Sequence, residues 1–127
     1  MIRIQSLSKT YQVPGGTVDA LKGIDLEIQK GEIFGIIGMS GAGKSTLLNL
    51  LGGLDSPTEG KIYVSGKDIS TLSNDELADY RASAVGFVFQ FYNLVPTLTV
   101  KENVMLVNEI APNAFPAEKM LEEVGLS

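Results

Sequence analysis

The stretch Gly38-Met39-Ser40-Gly41-Ala42-Gly43-Lys44-Ser45-Thr46 gathers the residue types that can grip a polyphosphate. Its glycines let a loop bend back until successive backbone N–H groups aim at one anion. Lys44 can carry a mobile positive charge to the outer phosphates, and the Ser45 hydroxyl can ligate Mg²⁺. A helix beginning near Lys44 adds unpaired amides and the positive end of its dipole. The plainer alternative is a Gly-rich surface turn. It leaves a lysine at a helix N-terminus, where its charge opposes the dipole, and that local conflict favours a bound anion.

Such a loop must be held between a strand and a helix. Ile33-Phe34-Gly35-Ile36-Ile37 is apolar on both faces, as a central parallel strand should be. After the loop, Leu47, Leu50, Leu51 and Leu54 recur at helical spacing, and Gly52-Gly53 supplies the stop. Upstream, Ile2, Ile4 and Leu7 suggest a strand, Pro14-Gly15-Gly16 a turn, and Leu21, Ile24, Leu26 and Ile28 a second strand with Gly23 at a bulge. Downstream, Lys61–Val64 reads as a short strand. Ser73-Asn74-Asp75-Glu76 is a capping box that opens a helix to about Ala82. Val85–Phe89 reads as a second buried strand, closed by Gln90. Thr99-Val100-Lys101-Glu102 opens another helix to about Asn108, and Pro116 is the expected first residue of a last helix that ends at Gly125.

The expected fold class is therefore α/β. Ile33–Ile37 and Val85–Phe89 form a parallel pair through a right-handed crossover, with the early strands and Lys61–Val64 antiparallel beside it. Two parts are expected, 1–90 carrying the core and the loop, and 91–127 helical.

Composition narrows the chemistry. The 127 residues are 44% hydrophobic and 20% charged, enough for a real core. A net charge of −5 gives no electrostatic footprint for nucleic acid. The sequence has no cysteine and no histidine, which removes thiolate metal sites and histidine general-base chemistry from this chain. The N-terminus lacks the long apolar core of a signal peptide, and no apolar run matches a membrane span. The expectation is a cytoplasmic protein that reaches a membrane only through a partner.

Taken together, these segments resemble the front half of an ATP-binding cassette (ABC) ATPase. Tyr11 precedes the loop by the distance the family uses for its adenine-stacking aromatic. Ala20-Leu21-Lys22-Gly23-Ile24-Asp25-Leu26 is similar to its second strand, Gly38–Thr46 to its Walker A loop, and Phe87-Val88-Phe89-Gln90 to its Q-loop. The segments from Leu47 to Gly60 and from Gly86 to Pro96 are similar to the lipoprotein-release and macrolide-export branch. Ile110 to Phe115 departs, being shorter than the family's usual connection between these helices. The resemblance implies a P-loop NTPase core with an antiparallel β subdomain, truncated where the helical subdomain starts.

The resemblance also implies roles. Gly38, Ser40, Gly41, Ala42, Gly43, Lys44, Ser45 and Thr46 would wrap the phosphates of ATP, with Thr46 reaching the α phosphate. Tyr11 would stack on adenine; the residue pattern alone fits a strand-end tyrosine packed on the sheet equally well. Gln90 would join Ser45 at Mg²⁺ or position water, and a neutral amide cannot replace a general base. Lys44 and Gln90 would contribute to catalysis without completing it. Phe91, Tyr92 and Leu94 would form a docking patch for a transmembrane permease subunit on the cytoplasmic side.

The family's signature motif, Walker B aspartate, catalytic glutamate and switch histidine have no counterpart here. The expected function is accordingly the ATP-binding half of a transporter ATPase subunit, holding Mg-ATP and hydrolysing it poorly. A second reading is a split-gene or truncated interaction module without ATPase activity, prone to self-association through uncovered apolar surface. A third, another phosphate-loop enzyme, is disfavoured. No Asn-Lys-x-Asp guanine motif is present, and Tyr11 and Phe89-Gln90 fit the ABC class.

Overall fold

Alternating apolar residues join β1 (Ile2–Val13) and β2 (Gly16–Ile28) into a long antiparallel hairpin that turns at Pro14-Gly15. In this computed structural model the described residues are 1–39, 41, 43–89, 93–110 and 114–126. β3 (Glu59–Val64) pairs antiparallel with the other edge of β1, and the short β4 (Lys67–Asp68) pairs with β3. The sheet order is β2-β1-β3-β4. The expected antiparallel arrangement of the early strands and Lys61–Val64 is present.

Irregularities in this sheet aim its side chains. Ile4 and Leu7 are three residues apart, so a regular strand would send them to opposite faces. The register shifts between them, Ser6 adopts φ 47°, and both residues end up buried. The bulge thus resets the alternation. Between Leu7 and Lys9 of β1 the partners advance from Ile24 to Leu21, an extra residue on β2 around Gly23, where the sequence suggests a bulge. A further shift falls at Ala20, which lies between the partners of Lys9 and Thr10.

The chain divides into two compact units, Met1–Arg81 and Ala82–Ser127. In the first, the core is Ile4, Leu7, Leu21, Leu47, Leu50, Ile62, Ile69, Leu77 and Tyr80. Leu47 and Leu50 come from α1 (Lys44–Leu51), which ends at Gly52 as expected. α2 (Asn74–Ala84) begins with the capping box in full: the Ser73 N–H donates to Glu76 Oε1 at 3.1 Å, and the Glu76 N–H donates to Ser73 Oγ at 3.2 Å. From α2, the Tyr80 hydroxyl donates to the Leu51 carbonyl at 2.8 Å and Arg81 Nη1 to the Gly53 carbonyl at 2.6 Å. These side chains satisfy carbonyls that the end of α1 leaves open. Burial pushes the Tyr80 phenol pKa up, which keeps it a neutral donor.

The second unit carries α3 (Val100–Ile110) and α4 (Ala117–Glu123). Thr99 and Glu102 cap α3 reciprocally, at 2.9 and 3.1 Å. Pro116 is the N-cap of α4 rather than its first helical residue, and Gly125 closes the helix at φ 81°. Lys101 and Glu118 pair across the two helices at 2.7 Å.

The two central strands expected from sequence are not formed. Residues 33–37 and 85–89 are irregular, and among the described residues the antiparallel sheet is the only one. Ile33, Ile37 and Val88 are 100%, 98% and 102% exposed. An apolar run becomes a parallel strand only if ladder partners and two covering layers are present. Among the described residues neither run has a ladder partner. Phe87 is half-buried and Phe89 exposed, their rings stacked at 5.2 Å rather than packed in a core.

Candidate functional site

The Gly38–Thr46 loop is held in place where it enters α1. At its C-terminal end Gly43 is the N-cap of α1 with φ 89°, a left-handed conformation that side chains disfavour. A Cβ there would also stand 2.6 Å from the Ala20 carbonyl oxygen and 3.0 Å from Leu21. Glycine is therefore required twice over, and the bulge at Ala20 is the surface that presses it into place. Gly41 shares the positive φ, at 83°, but has open space around it. The N-cap has no side chain, so no cap bond closes the first amides of α1. Those amides and the helix dipole face the loop.

Lys44 folds back over the loop. Its ammonium donates to the Met39 carbonyl at 2.9 Å and in a short contact to the Gly38 carbonyl. A mobile cation satisfied by backbone carbonyls can exchange them for phosphate oxygens, which are stronger acceptors. Ser45 is exposed and Thr46 half-buried, both on the first turn of α1. Positive-φ glycines, an open helix start and a lysine over the loop are features that suit an anion such as a polyphosphate. Ser40, Ala42 and Gln90 lie outside the described residues, as do Phe91 and Tyr92 of the expected docking patch.

Tyr11 sits on β1 opposite Val18 and is 36% exposed. It is not an unattached aromatic. Its hydroxyl donates to Asp55 Oδ2 at 3.1 Å, and Lys9 Nζ stands 5.1 Å from its ring centroid. Lys9 Nζ also donates to Asp55 Oδ1 at 3.1 Å and to the Ser56 carbonyl at 2.7 Å. Burial pushes the Asp55 carboxyl up, but the Ser56 N–H, Lys9 and Tyr11 outweigh it and hold its pKa below the ordinary value. Sequence reading missed Lys9 and Asp55. The alternation Lys9-x-Tyr11 puts the first pair on one strand face, but nothing in the sequence joins β1 to a residue just past α1.

In the second unit Leu94 is 65% exposed. With Val95, Pro96, Val104, Met120 and Leu126 it lines an apolar groove of about 710 Å³. Asn103 of α3 orders the rim, accepting from the Val95 N–H at 2.8 Å and donating to the Thr99 carbonyl at 2.9 Å. No described helix is long and apolar enough to cross a membrane.

Comparisons with known proteins give the chain's family. The chain is 44% identical, over 99% of its length, to the lipoprotein-releasing system ATP-binding protein LolD of Xanthomonas axonopodis pv. citri, and covers 54% of that protein. It is 51% identical over 82% of its length to the macrolide export ATP-binding/permease protein MacB of Brucella abortus, covering 16% of it. It is also 45% identical over 99% of its length to the methionine import ATP-binding protein MetN 2 of Enterococcus faecalis, covering 38% of it. The relatives thus include both a macrolide export and a methionine import protein, at 51% and 45% identity. Among solved structures, the dimeric post-hydrolysis state of the ATP-binding cassette MJ0796, bound to ADP and Pi, matches with a TM-score of 0.88 at 39% identity. That match covers 96% of this chain and 55% of that one, so the chain spans about half the length of the cassette. With residues 21–127 also matching the family described as ABC transporter, the chain belongs to the ABC transporter family, among its ATP-binding subunits.

Proposed function

We propose that this chain is the nucleotide-gripping half of a transporter ATPase subunit, binding Mg-ATP through Gly38, Gly41, Gly43, Lys44, Ser45 and Thr46. Ser40 and Ala42 complete the loop, and Gln90 joins Ser45 at the metal. The observation that carries this reading is the junction of loop and helix: Gly43 at φ 89° against Ala20, with Lys44 folded over the loop carbonyls. Lys44 neutralises the β and γ phosphates. Its charge-assisted bonds are the strongest single contact a phosphate finds there.

Hydrolysis asks for more than grip. It needs a base that takes a proton from water and charge that stabilises the transferred phosphoryl group. Lys44 supplies part of the charge; a histidine base is ruled out by composition, and Gln90 is a neutral amide. The purified 127-residue chain should therefore bind Mg-ATP and release phosphate very slowly. In an equilibrium titration Lys44→Ala is expected to weaken ATP by about tenfold or more. Turnover at the rate of an intact transporter ATPase, lost in Lys44→Ala, would overturn the slow-hydrolysis reading.

The apolar groove around Leu94 suits a permease subunit as partner; that it is export-type and docked on the cytoplasmic side of the cell membrane rests on the resemblance to the lipoprotein-release and macrolide-export branch. A second reading, an interaction module that associates with itself, is favoured by one specific observation: the exposed Ile33, Ile37 and Val88. Light scattering and dye binding separate the two. A monomer that binds no hydrophobic dye removes the second.

A further inference from the structure

The Lys9–Tyr11–Asp55 cluster has more structure than a surface ion pair. The side chain of Lys9 is only 14% exposed, and its ammonium is committed to Asp55 and the Ser56 carbonyl. Lys9 therefore does not reach out for a ligand. It covers one face of the Tyr11 ring, and Asp55 holds the phenol oxygen. Swinging the ring about its first torsion would break the phenol's bond to Asp55 and the contact with Lys9. Tyr11 is 36% exposed, which leaves ring surface for a planar group.

The cluster is also tied to the phosphate loop. Gly43 lies so near the Ala20 carbonyl that a Cβ would not fit between them, and the β1–β2 register puts the Tyr11 backbone about 8 Å from that of Ala20. Asp55 follows α1, whose eight residues span about 12 Å and whose other end carries Lys44. One rigid helix thus holds the phosphate grip at its start and the tyrosine clamp just past its end. A base and its triphosphate, bound together, would meet two supports whose spacing this helix sets.

We propose that Asp55 is a positioning residue for nucleobase stacking, clamping the Tyr11 hydroxyl and the Lys9 ammonium so that the ring offers one fixed face to the base. This rests on the reading of Gly38–Thr46 as a nucleotide loop. Stacking is worth most when the platform is already ordered, because the entropy of fixing the ring is then not charged against binding. Asp55 touches no part of the ligand; it acts through Tyr11.

The test compares ATP with inorganic tripolyphosphate, which lacks a base, by equilibrium titration of the full 127-residue chain. Tyr11→Phe deletes only the phenol oxygen and keeps the ring. It should weaken ATP by about threefold to tenfold while leaving tripolyphosphate within about twofold of wild type. Asp55→Ala should show the same split, and Tyr11→Phe combined with Asp55→Ala should be no worse than Asp55→Ala alone. Asp55→Asn, which retains an acceptor for the phenol, should lie between wild type and Asp55→Ala. Because Asp55→Ala also frees the Ser56 N–H, the Tyr11→Phe result is the decisive one. Wild-type ATP affinity in Tyr11→Phe, or equal loss of ATP and tripolyphosphate in Asp55→Ala, would overturn the proposal. If Lys44→Ala leaves tripolyphosphate binding intact, the loop reading itself fails, an outcome distinct from either.

Discussion

Two apolar regions of similar composition have different fates in this chain. Ile4, Leu7 and Ile62 of the antiparallel sheet are at most 2% exposed, while Ile33 and Ile37 are almost fully exposed. β1 finds β2 across a two-residue turn and β3 across its other edge. The 33–37 run needs parallel partners, which arrive only through long crossovers and leave both faces to be covered. Among the described residues the 33–37 run has neither a ladder partner nor a covering layer, whereas β1 has a partner on each edge. The comparison teaches that hydrophobic sequence states a demand for burial, and that the partners available on each edge and face decide which demands are met.

The largest effect that could break this comparison is in the sheet core. Leu7→Ala should cost about 2–5 kcal/mol in urea unfolding, as expected for a fully buried leucine, whereas Ile33→Ala should stay within about 0.5 kcal/mol. Equal costs would mean that 33–37 is buried in solution.

Next comes the loop itself. Gly43→Ala should destabilise the chain by about 1–3 kcal/mol and abolish detectable ATP binding, because its Cβ would overlap the Ala20 carbonyl. Gly41→Ala meets open space and should cost only its backbone strain, about 1–2 kcal/mol. Thermal melts of the two variants, read with ATP titrations, sharpen the claim that β2 shapes the loop.

The capping boxes give a smaller and more even effect. Ser73→Ala and Thr99→Ala should each lower stability by about 1 kcal/mol, since each hydroxyl accepts a helix N–H. The same boxes set an acid limit. The Ser73 and Thr99 N–H groups, with their hydroxyls, hold Glu76 and Glu102 below the ordinary glutamate value. A depressed folded-state pKa stabilises above the unfolded value and loses that contribution as pH falls through the folded value. Urea midpoints should therefore be flat above about pH 5 and fall below about pH 4. The decline should be shallower in Ser73→Ala than in wild type; an identical pH profile in the variant would contradict the assignment.

Sequence alone specified the local devices. The capping boxes, the glycine stop after Leu51, the bulge near Gly23 and the loop-to-helix junction at Gly43-Lys44 were all legible. Each depends on residues a few positions apart, whose hydrogen bonds form as soon as the local backbone does. The ABC character was legible for the same reason, because its motifs are contiguous. What only the tertiary structure decided joins distant residues. It paired Tyr11 with Asp55, set the Ala20 carbonyl against Gly43, and left 33–37 and 85–89 without a ladder. Spacing along a chain carries no information about which neighbour arrives from elsewhere, so the pattern could name the loop but not the groups that hold its surroundings in place.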